Sequence, residues 1–220
     1  MAILGIHLPR DISRIFAQIN VKGDKEPLGH QHVTLLYLGD DVPIEQLAKA
    51  VVATYNVTSK TKPFTVSTNR ISTFPPHPDH GTVPVICPLV SPPLHDLQAR
   101  LRAAFDTAKV DYSKKFPEYK PHVTLSYLED PAENANKALE KEIPSIEWGV
   151  ADIVLWGGDL SDLRFSANFP LSIGKTASRS LDVLYRAFVR MARGKRAHDA
   201  DGHCSVTCPC HGGGHPEPGE

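Results

Sequence analysis

Hydrophobic positions along the first 173 residues follow two spacings, one typical of strands and one typical of helices. Short apolar or alternating runs predict strands at residues 3–8, 64–74, 83–90, 146–156 and 165–173. Apolar residues three or four positions apart predict helices at residues 11–19, 44–55 and 93–108. In the first of these helices the predicted buried stripe is Ile12, Ile15, Phe16 and Ile19. Residues 75–81 are rich in proline, histidine and glycine, and a hairpin is expected there.

A nine-residue segment occurs twice in the chain. The first copy, His32-Val-Thr-Leu-Leu-Tyr-Leu-Gly-Asp40, and the second, His122-Val-Thr-Leu-Ser-Tyr-Leu-Glu-Asp130, are identical at seven of nine positions and lie 90 residues apart (122 − 32). Proline or glycine residues precede each copy and a proline follows it, which predicts that each copy forms one strand. A repeat at this distance indicates two lobes of similar structure.

Each copy places one histidine and one threonine on the same face of its strand. Successive side chains of a strand point to opposite faces, so His32 shares a face with Thr34, and His122 shares one with Thr124. If the lobes pack about an approximate two-fold axis, both pairs converge on one cleft. Two imidazoles would then flank a phosphate as general base and general acid, because an unperturbed pKa near ~6.5 allows one neutral and one charged ring. The threonine hydroxyls would bind the phosphate oxygens, and the site would need no metal.

With both H-x-T motifs in place, the chain resembles the 2H phosphoesterase superfamily, and within it the LigT-like 2′-5′ RNA ligases and cyclic phosphodiesterases. The resemblance covers residues 1–173, including the opening Ile3-Leu-Gly-Ile-His-Leu-Pro9 and the segment Phe74-Pro-Pro. It implies an α+β, bilobal 2H phosphoesterase fold, in which two pseudo-symmetric lobes have antiparallel sheets lining a central groove. It also implies a metal-independent hydrolase without a cofactor, acting on a 2′,3′-cyclic phosphate, a 2′-5′ linkage or a cyclic oligonucleotide. The roles that carry over belong to the catalytic residues His32 and His122 and to the substrate-binding residues Thr34 and Thr124.

Four aromatic residues near the motifs are further candidates for substrate binding. Tyr37 and Tyr127 each follow a motif threonine by three positions, and strict alternation puts them on the core face. Packing is therefore the first expectation for both, and ligand contact is the alternative. Phe74 lies at the predicted hairpin and Tyr119 just before the second motif, and either ring can stack on a base.

Charge and composition narrow the partners and the location. The 220 residues carry a formal net charge of −1, which argues against coating long nucleic acid and favours a nucleotide, a short RNA or a cyclic oligonucleotide. No apolar run approaches the ~20 residues that span a bilayer, so no membrane association is expected. The four cysteines, Cys87 and three near the C-terminus, do not form a disulfide framework, and a cytoplasmic location is expected.

The chain changes character after residue 173. Residues 174–197 contain a basic amphipathic helix pattern at 178–196, which can dock on the body of the protein, on a protein partner or on a second copy of the chain. Residues 198–220 are rich in cysteine, histidine and glycine, and a flexible tail is expected. Cys204, Cys208 and Cys210 are enough ligands for zinc, but their spacing is not that of a standard zinc site, and a tail without metal is the preferred interpretation.

Three other functions stay open at the level of sequence. A chain of this fold can bind RNA or nucleotides without turnover. It can also degrade cyclic oligonucleotide messengers, as related phage proteins do to evade bacterial defence. Metal-dependent hydrolysis through the cysteine-rich tail is the third, and it predicts that a chelator or deletion of the tail abolishes activity.

Overall fold

The computed structural model describes residues 1–77, 81–115, 117–129, 141–159 and 162–172. These residues form nine strands and three helices, in the order β1 (Ala2–His7), α1 (Arg10–Gln18), β2 (Asp24–Lys25), β3 (His32–Gly39), α2 (Ile44–Thr58), β4 (Phe64–Thr73), β5 (Val83–Pro88), α3 (Pro92–Ala108), β6 (His122–Leu128), β7 (Lys141–Val150), β8 (Asp152–Asp159) and β9 (Asp162–Pro170). The predicted helix at 178–196 and the cysteine-rich tail at 198–220 lie outside the described residues. Within those residues, none of the helices has the length and apolar character needed to cross a bilayer.

The described strands form two antiparallel sheets, and each sheet contains one motif strand. The first sheet has the strand order β3-β1-β8-β9, and the second has the order β2-β6-β5-β4-β7. The first motif strand, β3, lies at the edge of its sheet, whereas the second, β6, lies between β2 and β5. β3 and β6 contact each other, so the two halves of the repeat meet where the sheets meet. This is a bilobal α+β fold, as predicted.

A hydrophobic core lies between the helices and the inner faces of both sheets. Leu4 and Val33 are fully buried in it from the first sheet, and Val85 and Val123 from the second. The long helix α3 contributes four buried apolar side chains, those of Leu94, Leu97, Leu101 and Phe105. The motif strands are therefore fixed from behind by close packing, which holds their other faces in place.

The helix α1 buries a different stripe from the one predicted. Ile12 and Phe16 lie in the core, but Ile15 is exposed, and the polar side chain of Ser13 is buried in its place. Ser13 has a hydrogen-bond partner there, the side-chain oxygen of Gln31. Because the hydroxyl is paired, its burial does not carry the penalty of an unsatisfied polar group.

The segment predicted as one strand at 146–156 is two strands that belong to different sheets. β7 ends at Val150 and pairs with β4, whereas β8 starts two residues later and pairs with β1 and β9. The burial pattern changes at this break: every second residue is buried in β7, at Ile146, Trp148 and Val150, whereas residues 153–156 of β8 are all buried. The chain therefore passes from the second lobe to the first within what looks like one continuous apolar run.

Candidate active site

The two motif histidines occupy equivalent places in the two lobes. His32 is the first residue of β3, and His122 is the first residue of β6. In both strands the histidine and the threonine two positions later are half-buried, while the valine between them is fully buried. The predicted alternation is therefore present here, and Thr34 and Thr124 share the faces of their histidines.

A β-bulge follows the threonine in both motif strands. In the β1–β3 pairing, Thr34 and Leu36 are partners of consecutive residues of β1, so Leu35 is the extra residue. The β5–β6 pairing passes over Leu125 at the same place of the second copy. Such a bulge shifts the alternation of side chains by one position and often lies next to a functional site.

The bulges turn the two motif tyrosines away from the core, which corrects the prediction from strict alternation. Tyr127 is 38% exposed, and its hydroxyl is hydrogen-bonded with Thr124. Tyr37 belongs to a small apolar cluster outside the main core, whose other members are Ile3, Val154 and Trp156. The hydroxyl of Tyr37 donates to the carboxylate of Asp40 at 3.0 Å. Both tyrosines therefore lie on the faces that carry the histidines.

The ring of each motif histidine is held by the carbonyl group two residues earlier. Nδ1 of His32 donates to the carbonyl oxygen of His30 at 2.8 Å, and Nδ1 of His122 donates to that of Lys120 at 2.7 Å. A carbonyl oxygen can only accept, so Nδ1 carries a proton in both rings. Nε2 is then the nitrogen that takes up a proton when the ring is neutral and gives one up when it is charged. The two lobes thus leave the same ring nitrogen, Nε2, to gain and lose a proton.

Burial lowers the pKa of both motif histidines. Loss of water around the ring is the largest cause for each, and the hydrogen bond to the carbonyl group opposes it by raising the pKa. The charge of His32 also lowers the pKa of His122, so the two imidazoles are close enough for their charges to repel each other. The repulsion makes the second proton harder to add than the first, and this widens the pH range in which one ring is charged and the other neutral.

Each imidazole also packs edge-on against one aromatic ring. The centroids of His122 and Phe74 lie 4.7 Å apart with an angle of 85° between the planes, and those of His32 and Trp156 lie 5.3 Å apart with an angle of 81°. Phe74, a predicted substrate-binding residue, is thus in contact with the second motif. Trp156 is a residue that the sequence did not single out. It is fully buried, so it supports the ring of His32 from behind.

The sequence of this chain matches one family model over most of its length. The model is that of the 2′-5′ RNA ligase superfamily, and it matches residues 8–162, which include both motifs. This chain belongs to the 2′-5′ RNA ligase superfamily. The resemblance to the 2H phosphoesterases that the motifs indicated is thereby confirmed.

Solved structures share the superfamily fold at low sequence identity. The crystal structure of TT0787 from Thermus thermophilus is 20% identical, with a TM-score of 0.55, and the match covers 78% of this chain and 94% of that one. E. coli LigT complexed with 3′-AMP is 18% identical, with a TM-score of 0.52 and the same coverage of 78% and 94%. These likenesses show the fold. A search of curated protein sequences gives no significant match.

A third histidine lies beside the first motif of this superfamily member, and the sequence did not reveal its place. His7, the last residue of β1, is the partner of His32 in the β1–β3 pairing. Its ring centroid lies 4.6 Å from that of Trp156, which also contacts His32. Burial lowers the pKa of His7, the charge of His32 lowers it further, and the charge of Asp152 opposes both. As far as the described chain goes, Nε2 of His7 is buried without a hydrogen-bond partner.

Tyr119, also predicted to bind substrate, packs against a helix. Its ring centroid lies 5.5 Å from that of His95 in α3. Its hydroxyl is buried and has no hydrogen-bond partner among the residues that the structure describes, and burial raises its pKa. The structure therefore joins Phe74 and Tyr127 to the second motif, whereas Tyr37 and Tyr119 contact residues outside the two histidine–threonine pairs.

Proposed function

We propose that this chain is a metal-independent phosphodiesterase in which His32 and His122 act as an acid–base pair on a ribose-linked phosphodiester. The observation that carries the proposal is the paired state of the two rings: each is fixed through Nδ1 by a carbonyl group, and the charge of one lowers the pKa of the other. Membership of the 2′-5′ RNA ligase superfamily supports an activity of the phosphoesterase type.

The proposed reaction uses one neutral and one charged imidazole. Nε2 of the neutral ring takes a proton from the attacking water or 2′-hydroxyl while a new bond from oxygen to phosphorus forms. Nε2 of the charged ring gives its proton to the leaving oxygen while the old bond from phosphorus to oxygen breaks. The rings end with exchanged protonation states, and proton exchange with solvent restores the starting pair. General acid–base catalysis of this kind contributes about 10²–10⁴-fold to a rate.

The other predicted residues would bind the substrate around this pair. Thr34 and Thr124 lie beside the histidines and would hydrogen-bond the non-bridging oxygens of the phosphate without a change of charge. Phe74 packs on one side of His122, where an aromatic edge or face can meet a base or ribose. Tyr127 would act through Thr124, to which its hydroxyl is bonded. Tyr37 and Tyr119 are proposed to contact the more distant parts of a nucleotide.

The proposed substrate is a nucleotide, a short RNA or a cyclic oligonucleotide. The crystal structure of E. coli LigT complexed with 3′-AMP, which shares this fold, supports nucleotide binding, and the balanced charge of this chain favours a small ligand over long RNA. A 2′,3′-cyclic phosphate, a 2′-5′ linkage and a cyclic oligonucleotide of the kind that defence systems use all carry a phosphodiester next to a ribose. We further propose a cytoplasmic location, with residues 178–196 as the place of contact with a protein partner or a second copy.

The test is cleavage of a panel of these substrates by the wild-type chain and by two single variants, His32→Gln and His122→Gln. Each variant is expected to lose at least about 100-fold in kcat, because it lacks a ring nitrogen that exchanges protons. His95→Gln, on α3, is the matched control and is expected to keep the wild-type kcat; an effect through its neighbour Tyr119 is expected to change KM only. A chelator is expected to leave the wild-type rate unchanged.

The product and the binding data distinguish the alternatives. Undiminished cleavage by either motif variant would refute the acid–base assignment. Tight binding of a nucleotide by the wild-type chain with no product after long incubation would favour a binding module instead. Loss of activity on chelation would favour metal-dependent hydrolysis.

A further inference from the structure

Residues 22–31, here named the connecting segment, precede the first motif strand in the chain and contact the second. Near the start of the segment, β2 pairs with β6, the second motif strand. The backbone N–H of Glu26 donates to the carbonyl oxygen of Leu125, the bulge residue of β6, at 2.9 Å. The hydroxyl of Ser126 donates to the carbonyl oxygen of Lys22 at 2.7 Å. The segment thus follows β6 along the part of the strand where the bulge lies.

The same segment lies close against the β6 backbone and then leads directly into the first motif. Gly23 has a φ of +94°, and a Cβ at this position would clash with the carbonyl oxygen of Tyr127, so only glycine fits. At the other end, the carbonyl oxygen of His30 accepts the hydrogen bond that holds the ring of His32. One stretch of backbone therefore contacts the strand of His122 and fixes the ring of His32.

The side chain of Gln31 holds the end of the connecting segment in place. Gln31 is only 4% exposed, and its Nε2 donates to the carbonyl oxygen of Glu26 at 3.2 Å. Its Oε1 accepts from the backbone N–H of Gly29 at 3.2 Å and from the hydroxyl of Ser13 in α1. The N–H of Gly29 also donates to the hydroxyl of Ser13 at 3.1 Å. The amide thus ties Ser13 of α1 and the backbone of Gly29 to Glu26, whose own N–H is bound to β6.

We propose that Gln31 is a positioning residue that sets the place and the tautomer of His32 relative to His122. The expected effect of Gln31 on catalysis rests on the proposed function, whereas its effect on the position and tautomer of His32 does not. The reason is that a buried amide with defined donor and acceptor partners has one orientation, and Gln31 directly precedes His32 in the chain. Without the amide, the carbonyl group of His30 is free to move, and the ring of His32 loses the partner that keeps the proton on Nδ1.

The primary test is NMR of the imidazole nitrogens in the full chain, because it does not depend on activity. In the wild type, His32 and His122 are both expected to show a protonated Nδ1. Gln31→Met keeps the length of the side chain but removes its hydrogen bonds, and it is expected to give His32 a mixture of tautomers while His122 keeps its Nδ1 proton. Gln98→Met is the matched control, because Gln98 in α3 is also buried, at 7% exposure. This control is expected to leave both rings unchanged.

Kinetics of the same variants provide the second readout. Gln31→Met is expected to lower kcat about 10- to 100-fold with KM within about twofold, because a small displacement of a catalytic group costs rate more than binding. Ser13→Ala, which removes one partner of the amide, is expected to lower kcat in the same direction by a smaller factor. Gln98→Met is expected to keep the wild-type kcat.

The outcomes separate this inference from the proposed function. A His32 ring that keeps its Nδ1 proton in Gln31→Met would overturn the positioning role. The role would also be overturned if both histidines changed equally and urea unfolding showed a general loss of folded protein. A wild-type chain that cleaves no substrate of the panel would count against the proposed function only, since the NMR comparison still decides whether Gln31 positions His32.

Discussion

Replacing Gly5 by alanine is expected to disturb the first motif from behind. A Cβ on Gly5 would lie 2.5 Å from the carbonyl oxygen of Val33 and 2.9 Å from Cη2 of Trp156. Both contacts are shorter than carbon can tolerate. The carbonyl belongs to the strand that carries His32, and the indole is the ring against which His32 packs. The added methyl group must therefore move β3, the indole or both.

The size of the effect follows from how little room the site offers. Trp156 is fully buried, and a Cβ has no rotamer that avoids a backbone oxygen. Overpacking of this kind costs about 1–3 kcal/mol in the free energy of unfolding. For a domain of this size that corresponds to a fall in Tm of roughly 2–12 °C. A displacement of His32 by a fraction of an ångström is expected to lower kcat about tenfold or more.

Gly149→Ala provides the matched control for this prediction. Gly149 lies in β7, and among the described residues other than its chain neighbours no atom lies within 4 Å of the place where its Cβ would be. Alanine there is therefore expected to change the free energy of unfolding by less than about 1 kcal/mol. The assay is urea unfolding followed by tryptophan fluorescence, with kcat measured on the same samples. Equal unfolding midpoints and equal kcat values for the two alanine variants would refute the packing argument.

Two further predictions concern pH and the tyrosine of the second motif. The pKa values of His7, His32 and His122 lie below the ordinary 6.5 in the folded state, so the unfolded chain binds more protons than the folded chain below that pH. The free energy of unfolding is therefore at its full value above pH 6.5 and decreases as the pH drops through the lowered pKa values. The urea midpoint is expected to decrease from pH 7.5 to pH 5.0, less steeply in His122→Gln, and a midpoint that rises on acidification would contradict the assignment. Tyr127→Phe removes the hydroxyl bonded to Thr124 and is expected to lower kcat/KM about two- to tenfold, as one neutral hydrogen bond allows. The control is Tyr112→Phe, whose hydroxyl donates to Asp106 at 3.1 Å, and an equal loss in both variants would show that the effect is not specific to the motif.

The helices and strands could be predicted from the sequence where the local hydrophobic pattern agrees with the strand pairing in the structure. Both motif strands begin at the predicted histidines, and the three helices lie within a few residues of their predicted bounds. The break between β7 and β8 was not predictable, because each half is apolar enough for a strand and only the pairing partners differ. The exposure of Ile15 has a similar origin, since the polar partner that allows Ser13 to replace it, Gln31, is distant in sequence.

The strand faces on which Tyr37 and Tyr127 lie could not be predicted from the sequence pattern, for a different reason. Alternation predicts faces only in a strand without bulges, and a bulge depends on the register with the neighbouring strand. Two consecutive apolar residues after Thr34 are a hint of this irregularity, since an alternating strand would place one of them outside the core. The second copy has Ser126 at the corresponding position, so the same hint is absent although the bulge is present. His7 and Trp156 escaped prediction for the related reason that their nearness to His32 requires the register of three strands.

The two motif histidines occupy equivalent positions in the repeat but have different surroundings, and in the proposed reaction this difference bears on which is the acid and which is the base. Across the neighbouring strand, the partner of His32 is His7, whereas the partner of His122 is Pro88. An imidazole can take up a proton and a proline cannot, so His32 shares its lobe with a second group that titrates in the same range. The proposed reaction is also asymmetric, since the attacking oxygen belongs to water or a 2′-hydroxyl and the leaving oxygen belongs to the phosphodiester. For the proposed reaction we therefore expect the residues that influence the choice between the two roles to lie outside the motifs, on β1 and β5, where the repeat is not preserved.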